Sequence, residues 1–143
     1  MPEYSVHCDC GAVCLRFTGA PRVRAICHCD SCKELHDVPM LVLTAWNKDQ
    51  LTIESGEANL ASFAYPDRKL VRFFCRQCGE TLFNSNRFDL RVAASTLFVK
   101  RLGSLPAGFE PEKHLFYGSR VLDVSDSLPK YLEGVDGPLF GEL

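Results

Sequence analysis

Seven of the eight cysteines in this 143-residue chain fall into three tight groups: Cys8-x-Cys10, Cys27-His28-Cys29-x-x-Cys32 and Cys75-x-x-Cys78, with Cys14 standing apart. In an extended strand residues i and i+2 point to one face, so each Cys-x-Cys pair can aim two sulfurs at one point. Cys-x-x-Cys does the same in a turn. Glycine follows at Cys10-Gly11 and Cys78-Gly79, and a residue free to take positive φ lets the backbone fold around a metal. Disulfides are a poor alternative, because i, i+2 cysteines close a strained ring and disulfides need an oxidising compartment. A redox Cys-x-x-Cys belongs at the start of a helix in a βαβ unit, and no such unit is visible. The cysteines therefore predict metal ligands, with zinc favoured over iron for tetrahedral sulfur sites.

Seven ligands do not divide into two sets of four. A four-thiolate site is closed and structural, whereas a three-ligand site leaves a position for water or substrate. Spacing alone leaves the pairing open. Cys29-x-x-Cys32 with Cys75-x-x-Cys78 would also make a ribbon, leaving Cys8, Cys10 and Cys27 over.

Short β-branched and apolar runs, at 12–18, 23–27, 39–46, 50–53, 60–65, 69–75 and 90–94, predict a strand-rich chain. Gly19-Ala20-Pro21, Asn47-Lys48-Asp49, Ser55-Gly56-Glu57 and Tyr65-Pro66-Asp67-Arg68 between them read as loops. A helical turn is expected over 30–35, an irregular connection over 102–112, and no long amphipathic helix. No repeat or linker divides the chain, so one domain is expected over 1–143. A formal charge of −2 and pI near 6.1 remove the positive field that nucleic-acid binding relies on. The longest apolar stretch, 38–46, is about half the roughly 20 residues a membrane helix needs. With no basic and apolar leader at the N-terminus, a cytoplasmic location is expected.

Several motifs agree in order with a known family. They are Cys8-Asp9-Cys10-Gly11-Ala12-Val13, Cys27-His28-Cys29-Asp30-Ser31-Cys32, Ser55-Gly56-Glu57, Phe74-Cys75-Arg76-Gln77-Cys78-Gly79, Lys113-His114-Leu115-Phe116 and Leu128-Pro129-Lys130-Tyr131. The chain resembles the glutathione-dependent formaldehyde-activating enzymes, of the Mss4-like fold. The resemblance implies a mainly β domain of several small coiled antiparallel sheets with little helix, its family core at about 4–118 and a C-terminal extension at about 119–143. It also implies two zinc ions: a structural one on Cys8, Cys10, Cys75 and Cys78, and an active one on Cys27, Cys29 and Cys32. The implied activity is that of a carbon–sulfur lyase joining glutathione, or a similar thiol, to formaldehyde or another small aldehyde. The chain departs from the family pattern after Cys32, where Lys33-Glu34-Leu35-His36-Asp37-Val38-Pro39 replaces the usual basic residues and Ser-Gly pair.

The carboxylates of such a thiol would need cationic or N–H partners. Arg22, Arg24, Lys33, Arg72 and Lys113 are candidates, against the ordinary expectation that each is a solvated surface charge. His28, between two strand-directed ligands, should point to the opposite face and pack or hydrogen-bond there. His36 follows Cys32 by four residues, so a helical turn would bring it within reach of the same metal and close the site. His114 is expected to be structural or to line the pocket, and His7 carries no assigned role. Cys14, among Val13, Leu15 and Phe17, is expected to be a small buried hydrophobe. A protein-binding zinc scaffold and a thiol carrier without catalysis are the competing classes.

Overall fold

Strict alternation over β2 (Cys14–Thr18) sends Leu15 and Phe17 inward and leaves Cys14, Arg16 and Thr18 half-exposed on the other face. β1 (Glu3–His7) pairs antiparallel with it, Val6 opposite Leu15, and β5 (Leu51–Ser55) pairs along its other edge. These make a three-stranded sheet in a computed structural model that describes residues 1–141.

The second sheet has seven strands. They are β3 (Val23–Cys27), β4 (Leu41–Trp46), β6 (Leu60–Phe63), β7 (Val71–Cys75), β8 (Thr81–Ser85), β9 (Arg91–Ala94) and β10 (His114–Leu115). Their order is β10-β3-β4-β9-β8-β7-β6. All pairings are antiparallel except β10 with β3, where His114 lies beside Ile26 and Leu115 beside Cys27. The molecule is mainly β, with two short helices, α1 (Asp30–His36) and α2 (Ser95–Leu102). The strands gather into two sheets, and β4, buried over nearly its whole length, is paired on both edges at the centre of the larger one. No helix among the described residues is long and apolar enough to cross a membrane.

Two apolar clusters fill the interior. The larger lies between the small sheet and α2, where Phe17, Trp46, Phe98 and Phe109 meet at ring-centroid distances of 4.9 to 6.3 Å. Such tilted and edge-on pairs add about 0.5–1.5 kcal/mol each beyond area burial. The smaller lies under α1 and contains Ala25, Leu35, Leu41, Leu43 and Val92. Cys8 and Cys75 belong to the first cluster, Cys27 and Cys32 to the second.

Most strand expectations agree with these elements to within a few residues, whereas β1, β8, β10 and α2 were not expected. β1 buries only Val6, and β8 carries the polar pair Asn84-Ser85, so neither shows strong patterning. Cys14 is corrected: it is half-exposed, on the face opposite Leu15 and Phe17, because its parity on the strand differs from theirs.

Gly56 holds φ +82°, and a Cβ there would sit 1.7 Å from the Ala12 carbonyl oxygen. Both the left-handed backbone and the close approach require glycine. Gly56→Ala is expected to cost about 2–4 kcal/mol, read as a lowered urea midpoint at unchanged slope.

Candidate metal centres

Cys8 ends the β1 side of a turn in which Gly11 N–H donates to the Cys8 carbonyl, and Cys8 N–H donates to Val13 O. Cys75 ends β7, and Gly79 N–H turns back to the Cys75 carbonyl. The two turns come from different sheets and bring four sulfurs, of Cys8, Cys10, Cys75 and Cys78, within 4.8 Å of one another. Cys10 Sγ lies 3.7 Å from both Cys8 Sγ and Cys75 Sγ. A tetrahedron with Zn–S of about 2.3 Å has edges of about 3.8 Å, so the donor set fits zinc. Cys8 and Cys75 are fully buried, Cys10 and Cys78 exposed, and all eight cysteines are free thiols. The Glu80 N–H beside Cys78 holds its thiol down to about 7.

Charged residues brace this cluster. Glu80 accepts from the Asp9 N–H at 2.7 Å and from Arg101 at 2.9 Å, while Arg101 Nε donates to His7 O at 2.6 Å. Arg101 also pairs with Asp9, and Lys100 with Asp9 and Glu80. Both basic residues sit in the last turn of α2, where the helix dipole favours positive charge. Sequence reasoning passed over Glu80, Lys100 and Arg101, since nothing local links residues 9, 80 and 101.

The second cluster is local. Cys27 ends β3, Cys29 caps α1 and Cys32 lies inside its first turn, and their three sulfurs also lie within 4.8 Å. Cys29 Sγ accepts the Cys32 N–H at 3.3 Å, taking the place usually held by a serine or aspartate cap. Three thiols this close cannot all ionise alike. The Cys27 and Cys32 thiols, with the N–H groups of Cys32 and Ser31, hold Cys29 down to about 3. Hydrogen bonding to Cys29 in turn pushes the Cys27 thiol up to about 12, and hydrogen bonding to Cys27 and then to Cys29 raises Cys32 as well. Such a cluster binds a cation by releasing protons.

His36 is not part of this cluster. Its Nε2 lies 2.8 Å from Asn84 Nδ2, an amide donor, and burial and then the Arg72 charge pull its pKa down to about 4. His28 is fully buried, and its Nε2 lies 2.8 Å from His114 Nδ1. Burial first, then the neighbouring His114, Lys33 and Arg120, lower the His28 pKa to about 4. His7 Nδ1 bonds the Cys8 carbonyl at 2.8 Å.

Of the candidate cations, Arg22 bonds Asn47 and Arg24 pairs with Glu112, while Lys113 lies 3.9 Å from the same glutamate. Lys33 donates to Ser119 O and pairs with Asp30. Arg72 donates to Leu35 O at 2.6 Å, closing the last turn of α1. Arg68, which had read only as a loop residue, reaches Ser31 Oγ at 3.0 Å and Glu34 at 2.9 Å. It therefore stands over the Cys29–Cys32 turn. Beside this region lies an open cavity of about 590 Å³ lined by Arg87, Phe116, Gly118, Ser119, Leu132, Glu133 and Gly134. Phe116 also packs against the core that holds Cys27 and Cys32.

Fold and cysteine geometry together define a mainly β protein with one four-thiol and one three-thiol cluster, each fit for a metal ion. A family model described as glutathione-dependent formaldehyde-activating enzyme matches residues 3–119, and the chain belongs to that family. An uncharacterized lyase of Schizosaccharomyces pombe is 28% identical over 83 residues, 58% of each chain. The present chain thus spans just over half the length of that relative. A crystal structure of a Rhodobacter sphaeroides protein superposes with a TM-score of 0.54 at 20% identity, covering 72% of this chain and 98% of that one, and shares its fold.

Proposed function

We propose that the chain is a zinc-dependent carbon–sulfur lyase of the S-hydroxymethylglutathione synthase type, joining glutathione or a similar thiol to formaldehyde or another small aldehyde. The observation carrying this reading is the inequality of the two clusters. Four sulfurs meet at one, and only three at the other, with His36 turned to Asn84. A zinc ion held by Cys27, Cys29 and Cys32 would supply an open Lewis-acid position at which a thiol ionises near neutral pH. In the reaction a sulfur–carbon bond forms as the carbonyl π bond opens, and the thiol proton ends on the former carbonyl oxygen.

The chain's own residues bind and orient. Arg68, Arg72 and Lys33 pin α1, so the three sulfurs keep their separation. The cavity beside Phe116 offers Arg87 to a substrate carboxylate, and backbone flanks at Gly118 and Gly134. Holding thiol and aldehyde together then does most of the work. The fission-yeast relative's lyase name and the family match support the same reaction class.

Calorimetric titration of the zinc-loaded chain with glutathione, beside a formaldehyde-consumption assay, tests the reading. The expected result is saturable binding and a rate well above the spontaneous addition. Binding with no acceleration would make the chain a thiol carrier, and no binding would favour a scaffold.

A further inference from the structure

The C-terminal segment after residue 119 lies beyond the family match, yet it reaches the back of the three-cysteine loop. His114 N–H donates to Pro129 O, Tyr131 N–H to His114 O, and Phe116 N–H to Glu133 O, so the segment is stitched along β10. It places Asp126 Oδ2 at 2.8 Å from His114 Nε2. Asp126 Oδ1 is engaged by Lys130 Nζ at 2.7 Å and by the Leu128 N–H at 3.1 Å. His114 Nδ1 in turn meets His28 Nε2 at 2.8 Å, the rings stacked at 5.1 Å with Tyr117 edge-on to both. His28 N–H donates to Leu115 O, which fixes the backbone between Cys27 and Cys29 as well.

The direction of this chain follows from its outer end. A carboxylate only accepts, so His114 Nε2 carries a proton. A neutral His114 then has a bare Nδ1, which accepts from His28 Nε2–H. His28 is left with an unprotonated Nδ1, and that atom is buried with no partner. The opposite direction would instead bury an N–H that donates to nothing. Burial opposes ionisation of Asp126, but the bonds from Lys130, His114 and the Leu128 N–H outweigh it and hold its pKa to about 2.

We propose that Asp126 is a positioning residue for the three-cysteine centre: through His114 it sets a one-way hydrogen-bond chain that fixes the tautomer and orientation of His28, and so of the Cys27–Cys29 loop. Partners behind a ligand shell commonly alter metal affinity 10–100-fold when changed. Here the partner acts on the loop between two ligands rather than on a ligand itself. Asp126→Asn is the informative change. Lys130 and the Leu128 N–H still demand an oxygen, so the amide must turn Nδ2 toward His114. The chain then reverses, with Nδ1–H on both histidines.

Long-range ¹H–¹⁵N correlation of the ¹⁵N-histidine, zinc-loaded chain at pH 8 reads the tautomers directly. Nε2–H is expected on both His28 and His114 in the wild type, and Nδ1–H on both in Asp126→Asn. Zinc transfer to a chromophoric chelator should accelerate at least about tenfold for one of two ions in that variant. Asp123→Asn alters an exposed carboxylate of the same segment that pairs with Arg120 rather than with a histidine, so it should keep wild-type tautomers and transfer rates within about twofold. A wild-type Nδ1–H tautomer, or a doubly protonated His114, overturns the proposal. So does an unchanged transfer rate with reversed tautomers, or an equal acceleration in Asp123→Asn. If Asp126→Asn fails to fold, the wild-type tautomers still decide. The tautomers stand or fall without any metal, and only the zinc readout depends on Cys27, Cys29 and Cys32 being ligands.

Discussion

Cys75→Ala is expected to abolish cooperative unfolding of the zinc-loaded chain, or to lower its midpoint by at least roughly 15 °C, corresponding to about 4 kcal/mol or more. Cys75 is fully buried at the end of β7 and shares a core with Leu82, Phe83 and Trp46. Its cluster joins residues 8–10 on the small sheet to residues 75–78 on the large one. Closing a loop of that length removes substantial entropy from the unfolded chain. Structural zinc in small domains binds with about 10–16 kcal/mol, comparable to the whole stability of a domain. Circular dichroism against temperature, with zinc counted per chain, measures the effect. A variant that melts within a few degrees of wild type while losing one zinc would show that this cluster does not hold the sheets together.

Cys29→Ala should behave in the opposite way. Its cluster spans only residues 27–32, so the metal would close almost no loop. α1 has other anchors in buried Leu35, in Arg68 on Ser31 and Glu34, and in Arg72 on Leu35 O. The lost sulfur cap costs about 1 kcal/mol, a shift of a few degrees. Zinc should fall from two toward one per chain, and glutathione turnover by at least about 100-fold, or about 2.7 kcal/mol. Unfolding of this variant, or full turnover with one zinc, would contradict the division of labour between the clusters.

Much of the cysteine chemistry was legible in the sequence because it is local. Cys27, Cys29 and Cys32 lie within six residues, and the strand-then-helix geometry of that stretch follows from Val23–Cys27 and the turn after it. The glycines after Cys10 and Cys78 likewise read as turn residues, and both take positive φ. The surroundings were not legible. Cys14 was placed in the core although the alternation of Leu15 and Phe17 puts it on the other face. His36 has helical spacing from Cys32, yet Asn84, forty-eight residues away, takes its Nε2.

By itself, then, the sequence determined that seven cysteines form thiol turns in a mainly β chain, since backbone periodicity and turn chemistry act over a few residues. Spacing left open which turns meet and the family resemblance implied it, whereas the tertiary structure alone decided what becomes of each histidine and which cations stand over α1. Those outcomes depend on strand order and on pairings between residues such as 8 and 75, 68 and 31, or 126 and 114. No local pattern encodes such pairs, because their energy arises only once the two sheets and the C-terminal segment have closed on a common core.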